Sequence, residues 1–236
     1  MSSICLIHGH GVDASIWDGI YANLISEVSV LRPDLAQYKH LTTIEAYADE
    51  MKTRLKAEGV EQVTLIGHSM GGYIALAFAE KYPEQVAGLV LYHSTAVADD
   101  ENRREVRRQA IEGLEKHGST PFIQKQFPKM VAPDYPPKEI QMLVERYQDL
   151  PADALIAGLK AMAARPDRTH VLQKAHYPVL LVLGDQDQII PLDKAVRLAD
   201  LSDRISVSVI EQAGHLSMVE QPQQSIQVLR NFLKTR

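Results

Sequence analysis

The chain has 236 residues, 45% hydrophobic and 23% charged, and a formal net charge of −5 at pH 7. This length accommodates one domain with a large core, or a core domain that carries an insertion, and we expect the second. The composition is ordinary for a soluble globular protein, and its modest negative charge gives no indication of a nucleic-acid partner. No window approaches the ~20 apolar residues of a membrane span, and no signal-like segment opens the chain, so we expect no membrane insertion and a cytoplasmic location.

Six apolar runs are predicted to form β-strands, with helical patterns between them. In chain order they cover residues 4–7, 28–31, 63–66, 88–92, 179–183 and 205–210. Most are short and continuously apolar, which is typical of strands buried in a parallel sheet with helices on both faces. We therefore predict a doubly wound α/β core on a mostly parallel sheet. In such sheets ligands bind beyond the carboxyl ends of the strands. The single cysteine, Cys5, lies inside the first run and is expected to be a small hydrophobic residue without a catalytic role.

Residues 97–175 interrupt this alternation of strands and helices. Helical patterns cover residues 100–117, 121–131, 137–150 and 152–165, with prolines between them and no convincing strand. We predict an α/β core formed by residues 1–96 and 176–236, and a helical lid formed by residues 97–175. Such a lid covers the strand ends, excludes water and shapes a substrate pocket. A simpler interpretation, that these helices only pack against the core, is compatible with the same pattern.

A serine lies where the third strand turns into a helix. The pentad Gly67-His68-Ser69-Met70-Gly71 follows the run 63–66 and precedes a small-residue helical stretch at 73–79. A sharp strand-to-helix turn strains its central residue, and small neighbours two positions away on each side let the chain bend without a Cβ clash. The turn exposes the Ser69 hydroxyl near the positive end of the helix, which stabilises developing negative charge. A flexible loop could carry the same pentad, but the strand and helix around it favour a nucleophile elbow.

A serine hydroxyl is a weak nucleophile at neutral pH, so it requires a base and a group that orients the base. Candidates for both follow later strands. Asp187 lies just after the fifth strand, and His215 lies just after the sixth. The chain order Ser69, Asp187, His215 is the serine–acid–histidine order that accompanies this type of elbow.

Over nearly its whole length the chain resembles the α/β-hydrolase superfamily, and the resemblance is weakest in the predicted lid. It rests on four motifs, namely His8-Gly9-His10-Gly11 with Trp17 after it, the elbow at 67–72, Gly184-x-x-Asp187 followed by Pro191, and Gly214-His215. The resemblance implies Ser69 as nucleophile, His215 as general acid/base and Asp187 as its orienting carboxylate. It also implies an oxyanion hole made by the backbone N–H groups of His10 and Met70, and no cofactor or metal.

Several neighbouring residues have other interpretations. Asp185 shares the acid loop, but the spacing of the motif makes it a turn or capping residue. His68 is expected to pack beside the elbow. His93, after the fourth strand, is expected to be a core histidine with satisfied hydrogen bonds, although it could face the pocket. A metal site formed by His8, His10, Asp185 and Asp187 is disfavoured, because the serine machinery needs no metal.

These residues predict a carboxylesterase-like serine hydrolase that cleaves a small ester, thioester or lactone through an acyl-enzyme on Ser69. Two alternatives stay open. The same triad could move protons in a carbon–carbon bond hydrolase or a lyase or synthase, or the fold could serve as a ligand receptor with little turnover. Haloalkane dehalogenases and epoxide hydrolases are disfavoured, because those relatives carry aspartate at the position of Ser69. The expected partner is a small molecule, and no pattern indicates an oligomeric state.

Overall fold

The computed structural model describes residues 3–24 and 29–234, and its six strands form one parallel sheet. The strands are β1 (Ser3–Ile7), β2 (Ser29–Leu31), β3 (Val63–His68), β4 (Val86–Tyr92), β5 (Val179–Gly184) and β6 (Ile205–Ile210). Their spatial order is β2-β1-β3-β4-β5-β6, and every neighbouring pair is parallel. The predicted doubly wound α/β fold is confirmed. Position 28 of the predicted second strand lies outside the described residues.

Helices connect the strands. They are α1 (Asp18–Leu24), α2 (Ile44–Ala57), α3 (Met70–Lys81), α4 (Glu101–His117), α5 (Ser119–Met130), α6 (Pro137–Tyr147), α7 (Ala152–Ala164), α8 (Thr169–Gln173), α9 (Leu192–Ala195), α10 (Ser217–Glu220) and α11 (Pro222–Lys234). Helix α2 packs against α3, and α1 packs against α11. None of the helices in the described ranges combines the length and apolar character needed to cross a bilayer.

The sheet is buried where the candidate residues follow its strands. Every residue of β1, β3 and β5 is buried, whereas the outermost strand β6 is largely half-exposed. Residues 70–79 of α3 are buried on all sides, and this is possible because most of them are small or apolar. Cys5 is fully buried, and burial raises the pKa of its thiol to about 12. It is therefore a packing residue at neutral pH.

Five helices, α4 to α8, lie between β4 and β5. The first four match the predicted helical patterns, and the short α8 was not predicted separately. The two ends of this helical segment are bonded to each other. The Arg168 N–H donates to the Ala96 carbonyl at 2.8 Å, and the Arg165 guanidinium donates to the Val97 carbonyl at 3.0 Å. The segment therefore leaves the core and returns to it at one place. Its role as a lid stays a prediction.

Candidate active site

Ser69 occupies a strained turn between β3 and α3. Its backbone has φ 51° and ψ −114°, a region that residues with a side chain rarely adopt. A Cβ built on Gly67 would lie 2.3 Å from the Gly71 carbonyl oxygen, and one on Gly71 would lie 2.3 Å from the Ile7 carbonyl oxygen. No side chain fits at either position without displacing backbone. The predicted need for glycine on both sides of Ser69 thus follows from close approach of the main chain.

Neighbouring strands hold this turn in place. The Ser69 N–H donates to the Tyr92 carbonyl at 2.9 Å, and the Ser69 carbonyl accepts from the Gly72 N–H at 2.9 Å and the Ser94 hydroxyl at 2.8 Å. These three bonds fix the backbone of Ser69 from both sides. Because Met70 is the first residue of α3, its N–H has no acceptor within the helix.

The structure brings together Asp187, which follows β5, and His215, which follows β6. His215 Nδ1 is 2.8 Å from Asp187 Oδ2, and both side chains are 1% exposed. The other carboxylate oxygen accepts the N–H groups of Ile189 and Ile190 at 2.8 and 2.9 Å. Burial opposes ionisation of Asp187, but the charge and hydrogen bond of His215, with a second hydrogen bond from His93, hold its pKa far below the usual range. An ionised carboxylate only accepts, so His215 Nδ1 donates and Nε2 is left able to take a proton.

The loop that carries His215 is held by a residue that the sequence analysis missed. The Glu220 carboxylate accepts the N–H groups of Gly214, Leu216 and Ala132, at 3.0, 3.1 and 2.6 Å. The first two flank His215, and the third belongs to the segment after α5. Burial raises the pKa of Glu220. In the sequence, this role of Glu220 is indicated only by the presence of an acidic residue five positions after His215.

The loop after β1 passes beside the elbow. A Cβ built on Gly9 would lie 3.2 Å from the Ser69 Cβ, so the main chain here is in contact with the serine. The next residue, His10, donates from Nε2 to the Leu155 carbonyl at 2.8 Å, and burial lowers the pKa of its ring to about 4. A cavity of about 30 Å³ lies between this loop and the residues Met70, Leu155 and Gly158.

The remaining histidines and Asp185 have separate roles. His68 packs beside the elbow, as predicted, with Nε2 2.9 Å from the His215 carbonyl oxygen. The disfavoured metal set does not assemble, because His8 Nε2 accepts the Leu35 N–H at 2.8 Å and Asp185 accepts the Ala213 N–H at 3.1 Å. The contact of Asp185 is the capping role expected for it.

A different set of possible ligands does meet in the described part of the chain, namely His93, Asp187 and His215. Their nitrogen–oxygen contacts are 2.8 and 3.1 Å. These are hydrogen-bond lengths, so the three side chains bond to one another. Among the contacts of the described residues, none joins Ser69 directly to His215, although the adjacent His68 ring is centred 5.0 Å from that of His215.

Several known proteins are similar to this chain over most of its length. A thermophilic esterase from Thermogutta terrifontis, solved with malate bound, is 29% identical and superposes with a TM-score of 0.93, over 100% of this chain and 90% of that chain. A pimeloyl-acyl-carrier-protein methyl ester esterase from Aliivibrio fischeri is 26% identical, over 98% of this chain and 93% of its own. A 2-hydroxy-6-oxononadienedioate/2-hydroxy-6-oxononatrienedioate hydrolase from a Pseudomonas species is 25% identical, over 98% of this chain and 87% of its own.

A model of the alpha/beta hydrolase family matches residues 6–228, which include the loop after β1, the elbow and the loops after β5 and β6. The chain belongs to the alpha/beta hydrolase family and is a hydrolase.

Proposed function

We propose that the protein is a serine hydrolase that cleaves a small carboxylic ester, thioester or lactone through an acyl-enzyme on Ser69. The observation that carries this proposal is the buried Asp187–His215 hydrogen bond at the same end of the sheet as the strained serine turn. A nucleophile, a base with one free nitrogen and an orienting carboxylate are the parts that acyl transfer requires.

In the proposed reaction the Ser69 oxygen attacks the substrate carbonyl carbon while His215 Nε2 accepts the hydroxyl proton. The resulting oxyanion is bound by the backbone N–H groups of Met70 and His10, of which the first also lies at the positive end of α3. His215 then donates its proton to the leaving alcohol or thiol, which leaves an ester on Ser69. Water, deprotonated by His215, hydrolyses that ester and regenerates the serine.

The cavity beside the two proposed oxyanion donors supports binding of a small acyl group. Apolar side chains, including Leu155 and Ile74, form part of its wall. The esterase relatives support an ester substrate, and the Pseudomonas hydrolase keeps a carbon–carbon bond hydrolase as the second candidate.

The test is hydrolysis of p-nitrophenyl esters, from acetate to octanoate, by the wild type and by Ser69→Ala. We expect activity with short esters and a loss of at least about 10³-fold in the variant, because removal of the nucleophile leaves only binding and oxyanion contributions. Ser206→Ala, on the edge strand β6, is the matched control and should retain wild-type activity. A fluorophosphonate should label Ser69, as shown by peptide mass spectrometry.

Equal hydrolysis by the wild type and Ser69→Ala would contradict the acyl-enzyme. Turnover of a dienedioate substrate with no acylated serine would instead support the carbon–carbon bond hydrolase, in which Ser69 and His215 move protons. Tight ligand binding without turnover of either substrate class would support a receptor.

A further inference from the structure

A second histidine is bonded to the carboxylate of Asp187. His93 follows β4 and is completely buried, with Nδ1 3.1 Å from Asp187 Oδ2. His215 Nδ1 lies 2.8 Å from the same oxygen. The rings of His93 and His215 therefore share one carboxylate oxygen. The mechanism proposed above uses His215 and gives no role to His93.

The backbone around His93 is built to hold its ring there. His93 has φ 47°, and its N–H donates to the Val182 carbonyl at 2.8 Å. This left-handed conformation is unfavourable for residues with a side chain, although histidine, asparagine and aspartate tolerate it better than most. A Cβ on Gly184 would lie 3.0 Å from His93 Cε1, so the glycine of the acid loop leaves the space that the ring occupies. The positive φ of His93 and the absence of a side chain at Gly184 together allow the His93 ring to reach Asp187.

The hydrogen-bond partners define which nitrogen of His93 carries the proton. Burial lowers the pKa of His93, and Asp187 is ionised, so a neutral ring faces an oxygen that only accepts. The Nδ1–H therefore donates to Asp187. His93 Nε2 is 2.7 Å from the Ser217 hydroxyl, which is the second hydrogen-bond partner of the ring.

We propose that His93 is a positioning residue: its Nδ1–H holds Asp187 Oδ2 and shares the carboxylate charge with His215. This proposal rests on the roles proposed above for Asp187 and His215. A carboxylate that accepts two N–H groups on one oxygen stabilises each partner less than a carboxylate that serves one. Removal of His93 should leave the charge on Asp187 Oδ2 to the Nδ1–H of His215 alone.

The other titratable groups around the pair are His68, Tyr92 and Glu220. The His68 ring is centred 5.0 Å from that of His215 and 6.3 Å from that of His93. The Tyr92 hydroxyl lies 2.7 Å from the hydroxyl of Ser217. Glu220 binds the main chain of the histidine loop. His68 and Glu220 act on Asp187 through charge and not through a hydrogen bond. His93 and His215 are the described side chains that donate to Asp187 Oδ2.

The experiment compares His93→Leu, which removes both ring nitrogens, with His93→Asn, whose amide can donate to Asp187 and which tolerates a positive φ. In the pH profile of kcat/KM for p-nitrophenyl acetate, we expect the acidic limb of His93→Leu to move up by roughly half a unit to one unit. His93→Asn should keep the wild-type profile. Ser217→Ala, which removes the partner of His93 Nε2 and so loosens the ring, should move the limb in the same direction by a smaller amount.

Proton NMR gives a readout that needs no turnover. Imidazole N–H protons bonded to a carboxylate resonate downfield of the amide region, and the wild type should show two, of which one is absent in His93→Leu. The remaining resonance should titrate at higher pH than in the wild type. Ser225→Ala removes a hydroxyl of the same cluster that does not touch His93, and should leave both resonances and the profile unchanged.

An acidic limb that stays in place in His93→Leu, or that moves equally in His93→Asn, would overturn the inference while leaving the esterase proposal intact. If the wild type cleaves no ester, the proposed function fails, and the NMR titration still decides the role of His93. If His93→Leu does not fold, Ser217→Ala supplies the same comparison of His215 titration, and an unchanged titration there would count against the proposal.

Discussion

The imidazole of His10 occupies the space that Gly158 leaves on the surface of α7. A Cβ built on Gly158 would lie 2.7 Å from His10 Cδ2, and His10 Nε2 bonds to the carbonyl of Leu155 in the same helix. The ring of Phe122 on α5 meets His10 edge-on, with centroids 5.8 Å apart. The loop that carries one proposed oxyanion donor is therefore fixed to the helices between β4 and β5, so a shift of α7 displaces that donor.

Gly158→Ala tests this coupling. The added methyl group displaces the His10 ring, and we expect kcat/KM for p-nitrophenyl acetate to fall by about 10- to 100-fold, because a misplaced oxyanion donor loses transition-state stabilisation. The matched control is Gly113→Ala on α4, where a Cβ meets nothing within 4 Å. It should raise the free energy of unfolding by about 0.5–1 kcal/mol and leave activity unchanged. Equal activity of the two variants would refute the coupling.

The cavity beside His10 predicts an acyl-length preference that mutation can change. Leu155→Ala removes part of its wall, and we expect the preferred p-nitrophenyl ester to become longer than that of the wild type. Leu159→Ala, on the same helix and equally buried, does not line the cavity and should lose similar stability, about 2–5 kcal/mol, without a change in preference. Identical chain-length profiles for both variants would show that the acyl group binds elsewhere.

Removal of the Glu220 carboxylate should loosen the main chain on both sides of His215. Glu220→Ala leaves the N–H groups of Gly214, Leu216 and Ala132 without their acceptor, so we expect a lower melting temperature and faster amide exchange at Gly214 and Leu216. Activity should also fall, because His215 lies between Gly214 and Leu216 in the chain. Glu211→Ala changes an exposed glutamate of the same loop and serves as control. Unchanged exchange in Glu220→Ala is the result that would contradict this role.

Stability should decrease as the pH falls from about 7 to 5. Burial lowers the pKa of His10 to about 4 and also lowers the pKa of His68 and His93. Below about pH 6.5 the unfolded chain takes up protons at these residues that the folded chain does not, so the free energy of unfolding falls by up to about 1.4 kcal/mol per histidine per pH unit. Urea denaturation at several pH values gives the free energy of unfolding as a function of pH. In His10→Gln the slope of this free energy against pH should be smaller than in the wild type. The exposed His176→Gln should keep the wild-type slope; equal slopes in all three proteins would contradict the assignment.

The sequence was sufficient to predict the sheet and the four functional loops. Buried parallel strands require continuous apolar runs, and the elbow requires Gly67 and Gly71 for steric reasons that the structure makes plain. The loops carrying Asp187 and His215 could be located because each follows directly on a strand. In these cases the physical requirement acts on residues that are close together in the chain.

The role of His93 and that of Glu220 could not be predicted in the same way. His93 meets Asp187 because β4 and β5 are neighbours in the sheet, although five helices separate them in the chain. Glu220 acts through main-chain N–H groups, which carry no sequence signature. The expectation for His93, a core histidine with satisfied hydrogen bonds, described its burial correctly but not its partner. Contacts set by strand order and by backbone donors require the fold itself.

The bonded ends of the segment between β4 and β5 have a consequence for how proteins of this architecture diversify. Because the chain exits and returns at one anchored point, helices can be lengthened, shortened or exchanged there while the strand register is preserved. Such an exchange leaves in place the strands that position Ser69, Asp187 and His215. Any replacement segment has to reproduce the main-chain bonds of Met130 and Ala132 to His215 and Glu220, and the contacts of His10 with α7.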